Sequence, residues 1–406
     1  VRYTAEGTLW KMNDMFQLSV ELYDTKDKKV VWSDRWEENW DNLPTIKSSL
    51  SDGLLKALDT KPKVEQKVET TNPEAYEFYL KAHLKYAKRE NTDDTEIARG
   101  LLKKAIELDD NLIVAKVLLG ATYREMGDYD KAMEIYTPAL TQAEEFGDKR
   151  GMGYSLKSIG SVHWHKGDLE KALEYFNQSL AIAVELSNKR GMGNNLNSIG
   201  LVYSDKGELD TALDYYDRSL AIDEELGNKG GMGSALNNIG IVHDIKGELD
   251  TALDYYRRSV AIFEELGDKR NVGGSLDNTG FAHLEKGDYE KALDYFDRSL
   301  AISEELGDKK GMGLTLNNIG MMYTNKGDYE KALDYFEKSL AIQREIGIKG
   351  LELYTTTFHY LTYKHLGRDY DVNEIHTLIK EAEDIEYELN LRLYELLEDT
   401  SYLETA

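Results

Sequence analysis

The sequence predicts an all-α array of stacked helix pairs behind a short α/β front, and three observations carry that prediction. Five related decads, "GMGYSLKSIG", "GMGNNLNSIG", "GMGSALNNIG", "NVGGSLDNTG" and "GMGLTLNNIG", start at residues 151, 191, 231, 271 and 311, a strict 40-residue period. From Pro73 onward the apolar residues recur at helical spacing, with no alternating strand pattern. Residues 1 to 42 do alternate, and they resemble nothing after them. A glycine-rich phosphate cradle occurs once per domain, between a strand and a helix. One that returned every 40 residues would have no reason to do so. The glycines are therefore expected to punctuate helices.

Composition narrows the function classes. A chain of 406 residues exceeds a single core, and only an array explains the period. The absence of cysteine removes disulfides, thiolate metal sites and cysteine nucleophiles together. The formal charge of -25, from 75 acidic and 50 basic residues, repels phosphates. Nucleic acid and anionic membrane are thereby disfavoured, and cationic or neutral partners favoured. No apolar run approaches the roughly 20 residues that span a bilayer, and no signal peptide opens the chain, so a cytoplasmic location is expected. The chain begins at Val1 within a strand pattern, which suggests a piece of something longer with an effector domain upstream.

In chain order, Phe16, Leu18, Val20 and Leu22 alternate with Gln17, Ser19, Glu21 and Tyr23, the period of a half-buried strand. Runs around Tyr3 to Trp10 and Val30 to Trp36 flank it, joined by "KMND" and "TKDKK". Trp10, Trp32, Trp36 and Trp40 are read as sheet packing. Pro44 suits a first helical turn, and Leu43, Ile46, Leu50, Leu54 and Leu58 mark one helical face that would cover the sheet. The α/β segment is thus set at residues 1–58 and a linker at 59–73. Helix pairs follow over 74–109 and 112–146, then five units from Gly151 to Gly350. A weaker pair runs to residue 388, and residues 389–406 form a capping helix over the open end.

Within a unit the first helix carries Leu156, Ile159, Gly160 and His163, and the second carries Ala172 and Phe176. Later units repeat this as Leu196, Ile199, Gly200, Tyr203, Ala212 and Tyr216. The small residues mark a close approach of two helices, and each "KGD" or "KGE" makes the turn between them. These positions resemble the tetratricopeptide repeat over residues 74–388, about eight repeats. That resemblance implies a right-handed α-solenoid with a concave binding face. The unit is 40 residues rather than the common 34, and the proline after the second helix is missing. The second helix instead runs on through "SLAIAVELSNKR", as in the long repeats of spindle-orientation adaptors and kinesin light chains. The "GDK" and "GNK" segments then stop it.

The front, "VRYTAEGTLWKMNDMFQLSVELYDTKDKKVVWSDRW", resembles the last third of a TolB-amino-terminal-like α/β domain. The likeness rests on Glu6 and Gly7, on the strand ending in Leu22, Tyr23 and Asp24, and on "VVWSDRW". In many bacterial proteins that domain links a class III nucleotidyl cyclase, a serine/threonine kinase or a DNA-binding domain to tetratricopeptide repeats. The resemblance implies a regulatory part of such a protein, with an adenylate or guanylate cyclase as the favoured effector.

No catalytic constellation appears. His163, His243 and His283 share a repeat position with Tyr203 and Tyr323, which makes them packing residues. His163 and His165 point to different sides of one helix and cannot chelate one ion. No Walker loop, zinc spacing or serine-histidine-aspartate order exists, so no enzyme activity, cofactor or metal is expected in this chain.

What remains is the inner face of the first helices, which the tetratricopeptide resemblance places at the second, fifth, sixth, ninth, twelfth and thirteenth motif positions. The fifth and sixth are Asn197, Ser198, Asn237, Asn238, Asp277, Asn278, Asn317 and Asn318. The ninth are Leu201, Ile241, Phe281 and Met321. Asparagine is a poor helix former, so its repetition calls for a reason. Its amide offers a donor and an acceptor to an extended backbone, while the apolar row holds side chains. Asp205, Asp244, Asp277 and Glu285 would attract positive charge. The expected ligand is a protein or peptide segment with apolar and basic residues. A carboxylate clamp is disfavoured by the same acids. Three alternatives stay open: an asparagine ladder that only ties neighbouring helices, an enzyme subunit with a site at the junction of the Trp-rich sheet and the first repeats, and a self-assembling array.

Overall fold

The computed structural model describes residues 3–12, 15–24, 29–39, 72–87, 89, 92–382, 387–398 and 401–404. The expected helix over 43–58, Trp40 and residues 59–71 of the expected linker lie outside them. At the front, β1 (Tyr3–Met12), β2 (Met15–Asp24) and β3 (Lys29–Asn39) form one antiparallel sheet in the order β1-β2-β3. β1 pairs with β2 from Tyr3↔Asp24 to Met12↔Met15, and β2 with β3 from Met15↔Asn39 to Asp24↔Lys29, with an irregularity at Leu22/Tyr23. Val20 and Leu22 are buried and Glu21 between them is exposed, the alternation read from the sequence.

Helices follow in pairs: α1 (Pro73–Ala87) and α2 (Thr92–Leu108), α3 (Ile113–Arg124) and α4 (Tyr129–Glu145), α5 (Lys149–His165) and α6 (Leu169–Glu185). Then come α7 (Lys189–Asp205) and α8 (Leu209–Leu226), α9 (Lys229–Ile245) and α10 (Leu249–Leu266), α11 (Lys269–Glu285) and α12 (Tyr289–Glu305). α13 (Lys309–Lys326) and α14 (Tyr329–Ile346) close the regular series, followed by α15 (Lys349–His365), α16 (Val372–Glu381), α17 (Tyr387–Leu397) and α18 (Ser401–Glu404).

The chain divides into two compact units, residues 1–162 with 174–195 and residues 163–173 with 196–406. In the first, Ala75, Ala82, Leu102, Leu112 and Leu119 form one core, and Ala132, Tyr136, Ile159 and Val162 another. In the second, a large cluster joins Phe296, Ile319 and Phe336 to Leu353, Leu361, Ile375, Leu389, Leu393 and Leu396. The last helices therefore bury the apolar stacking face that a terminal repeat would expose.

The close approach inside each pair is as the sequence suggested. A Cβ on Gly240 would lie 2.6 Å from the Tyr256 ring, and one on Gly280 would lie 2.7 Å from Phe296. Left-handed glycines end both helices of a pair, Gly287 with φ 76° after α11 and Gly307 with φ 60° after α12. Ser187, φ 50°, stands where later units have glycine.

The glycines of the repeated decads correct the sequence reading. All five decads are helical, so these glycines do not punctuate. Gly153, Gly233, Gly273 and Gly313 admit the second helix instead. A Cβ on Gly233 would come within 2.8 Å of Phe263, and the Gly233 carbonyl accepts from Ser259 Oγ at 2.9 Å. The same serine-to-glycine bond recurs from Ser179 to Gly153 (2.9 Å), Ser299 to Gly273 (3.0 Å) and Ser339 to Gly313 (2.6 Å).

Candidate functional site

The inner stripe of the second unit lies on α9, α11, α13 and the part of α7 from Leu196. Its asparagines are joined to one another. Asn238 Nδ2 donates to Asn197 Oδ1 at 3.0 Å, Asn278 Nδ2 to Asn237 Oδ1 at 3.2 Å, and Asn318 Nδ2 to Asp277 Oδ2 at 2.8 Å. Each rung runs from the sixth position of one first helix to the fifth position of the helix before it. A rung occupies one donor or one acceptor of each amide, and a primary amide has two donor hydrogens and two lone pairs.

Beside the ladder run Leu201, Ile241 and Phe281, all half-buried. Asn317 and Met321, expected in the same rows, are buried at 1% and 8% exposure and present no surface. Asn317 Nδ2 donates to Met321 Sδ at 3.3 Å, and the Tyr354 hydroxyl lies over the same sulfur.

The acidic positions differ among themselves. Asp205 is exposed and accepts from Trp164 Nε1. Asp244 is half-buried, and its Oδ2 accepts from the Tyr256 hydroxyl at 3.3 Å. Asp244 Oδ1 and Asp277 Oδ1 are buried with no hydrogen-bond partner. Burial first, and the neighbouring Glu285 carboxylate second, push the Asp244 carboxyl up to about 7. Burial likewise raises Asp277 to about 6. A donor or cation brought to either oxygen would stabilise the ionised form.

Sequence reasoning missed the Tyr256 and Trp164 contacts, though a signal for the second existed. Trp164 and Asp205 are 41 residues apart, as are Asp244 and Glu285, the same offset that separates the ladder partners. The histidines pack as expected: His243 stacks on Tyr255 and His283 on Tyr295, at 5.4 and 5.5 Å, just as Tyr203 stacks on Tyr215. Among the described residues no group of three or more acidic or histidine side chains could hold a metal ion, and no helix is long and apolar enough to cross a membrane.

Paired helices, small-residue crossings and a continuous inner stripe define a repeat-array protein of the α-solenoid class. Residues 111–183, 191–265 and 274–345, more than half of the chain, match the tetratricopeptide repeat, and the chain belongs to that family. No curated protein sequence matches it. Among solved structures, a Rap protein complexed with Competence and Sporulation Factor aligns with TM-score 0.60 and 14% identity, over 81% of this chain and 94% of that one. The apo form of RapI aligns with TM-score 0.52 and 17% identity, over 68% and 99%. A signal transduction ATPase with numerous domains and a tetratricopeptide repeat sensor, from Pyrococcus horikoshii, aligns with TM-score 0.54 and 16% identity, over 90% and 53%. The chain is thus a tetratricopeptide scaffold for protein interaction.

Proposed function

We propose that the inner face of the second unit binds an extended protein segment carrying apolar and basic side chains. The observation that carries this reading is the pair of acidic groups with unsatisfied oxygens, Asp244 and Asp277, set beside the half-buried row Leu201, Ile241 and Phe281. An N–H or ammonium from the ligand meets those oxygens, and the remaining amide capacity of Asn197, Asn237, Asn238, Asn278 and Asn318 meets its backbone. Asp205 and Glu285 add attraction at the rim, where salt screens it. A related fold in complex with Competence and Sporulation Factor is consistent with a ligand held by this architecture. In this reading the chain is the cytoplasmic sensory part of a larger bacterial signalling protein. The favoured effector is the class III adenylate or guanylate cyclase that the front segment's resemblance implies.

The test selects decapeptides from a random display library on the full chain. Enriched peptides should combine lysine or arginine with apolar residues. Their affinity should fall by about tenfold or more in the isosteric Asp244→Asn, Asp277→Asn double variant, a loss of about 1.4 kcal/mol. Acid-rich peptides, or equal affinity for the folded variant, would count against the proposal.

A further inference from the structure

Two residues break the repeat at one stacking contact of the second unit. Where the other 40-residue units carry Leu180, Leu220, Leu300 and Leu340, α10 carries Val260. Where they carry Ile159, Ile199, Ile239 and Ile319, α11 carries Thr279. Valine lacks one carbon of leucine, and threonine lacks the terminal methyl of isoleucine and holds a hydroxyl in place of its methylene. In a close-packed array such missing volume stays open wherever the surroundings do not collapse into it.

Here it deepens the groove between the second helices of neighbouring pairs. A cleft of about 510 Å³ opens between α10 and α12, with Leu253, Val260, Leu276 and Thr279 among its walls. Small-molecule sites typically measure about 300–1,000 Å³. Phe263, Val272 and Leu276 form a buried cluster on which Val260 and Tyr295 pack, so these walls are held in place before any ligand arrives.

The chemistry of the walls selects a ligand class. Leu253, Val260 and Leu276 offer apolar surface, and His283, stacked on Tyr295 at 5.5 Å, adds an aromatic wall. Burial pushes His283 below the usual histidine range, so its ring is neutral at pH 7. The Thr279 hydroxyl donates to the Ser275 carbonyl at 2.7 Å, which leaves its oxygen lone pairs to accept. The rim is compensated within the protein: Arg257 pairs with Asp254, Lys286 with Asp250, and Arg298 lies 4.0 Å from Glu264. Each charged wall residue thus has an opposite charge beside it.

We propose that this cleft binds a neutral small molecule with an aromatic body and one hydroxyl or N–H donor. The apolar and aromatic walls take the body, and Thr279 accepts from the donor. A charged ligand would compete with the rim pairs and gain little. The cleft shares no residue with the inner face assigned to the protein segment, so either proposal can fail alone.

Indole, neutral and carrying one N–H, is the probe, titrated into the full chain with ¹³C-methyl-labelled threonine. The Thr279 methyl signal, assigned by its loss in Thr279→Val, should shift saturably in nuclear magnetic resonance spectra, with Overhauser contacts from indole to that methyl. Tryptamine and indole-3-acetate, its cationic and anionic analogues, should bind no tighter than indole. The Val260→Leu, Thr279→Ile double variant restores the residues of the other units and should fill the cleft. Calorimetry should find its indole affinity lower by about tenfold or more, with circular dichroism unchanged. The site is refuted if indole leaves the Thr279 methyl unmoved or if the folded double variant binds as tightly as the parent. A charged analogue that binds tenfold tighter refutes the neutral class, and displacement of indole by a selected decapeptide makes the cleft a peptide site instead. Should the double variant fail to fold, the Thr279 shift and Overhauser contacts in the parent decide the matter alone.

Discussion

Two glycines on α11 give opposite expectations for the same substitution. Gly274 faces open space, with nothing within 4 Å of where a Cβ would stand, whereas a Cβ on Gly280 would meet Phe296 Cδ1 and Cε1 at 2.7 Å and the Ala292 carbonyl oxygen at 3.2 Å. Phe296 is fully buried, and the carbonyl belongs to α12, so neither neighbour yields without moving the helix pair. Alanine gains about 1 kcal/mol over glycine in a helix interior at either position. Overpacking at Gly280 costs about 1–3 kcal/mol. Gly274→Ala should therefore stabilise, Gly280→Ala should be neutral to destabilising, and the two should differ by about 1–3 kcal/mol, since the propensity term cancels. Urea unfolding followed by far-ultraviolet circular dichroism reads this as a difference in midpoint at equal slope. If Gly280→Ala proves as stable as Gly274→Ala, close packing at the helix crossing is not what requires the glycine.

Other perturbations probe other parts of the molecule. Ser187→Gly removes a left-handed non-glycine residue and should raise stability by about 1 kcal/mol; a loss on thermal unfolding would contradict the assigned turn. Ser299→Ala deletes the bond to the Gly273 carbonyl and should cost about 1 kcal/mol in urea midpoint, with no change meaning that the bond contributes nothing. Asp244 and Asp277 have carboxyls raised from 3.8 to about 7 and about 6, so they hold protons more tightly folded than unfolded. Their contribution to stability is fully present below about pH 4 and is lost as pH rises to about 7. The Asp244→Asn, Asp277→Asn variant should accordingly gain on the parent as pH rises through that window, and a pH-independent difference would overturn this expectation.

Much of the array was legible because its signals are periodic. Gly160 with Phe176 and Gly200 with Tyr216 follow from small and aromatic residues at fixed offsets, and the turn glycines from "KGD" and "KGE". The decad glycines misled because helix starts and loops share a composition. Only the partner serine, 26 residues on, distinguishes a glycine that accepts a hydrogen bond from one that ends a helix. The candidate site was half legible. Repeat arithmetic places Asn237, Asn238 and Asn278 on one stripe, but it treats all units alike. Residue 358, where a further ladder asparagine would stand, is phenylalanine, and the apolar closing helices bury Asn317 and Met321. The raised carboxyls depend first on depth of burial, which no local pattern encodes, and at Asp244 the Tyr256 hydroxyl opposes the shift.

Whether the second unit's inner face holds an extended basic and apolar segment is decided by a crystal structure of the chain with a selected decapeptide. Peptide N–H or ammonium donors are expected within hydrogen-bond distance of Asp244 Oδ1 or Asp277 Oδ1, with side chains against Leu201, Ile241 and Phe281. A peptide seated instead in the outer cleft of about 510 Å³ between α10 and α12, with both oxygens still bare, would contradict the proposed binding face.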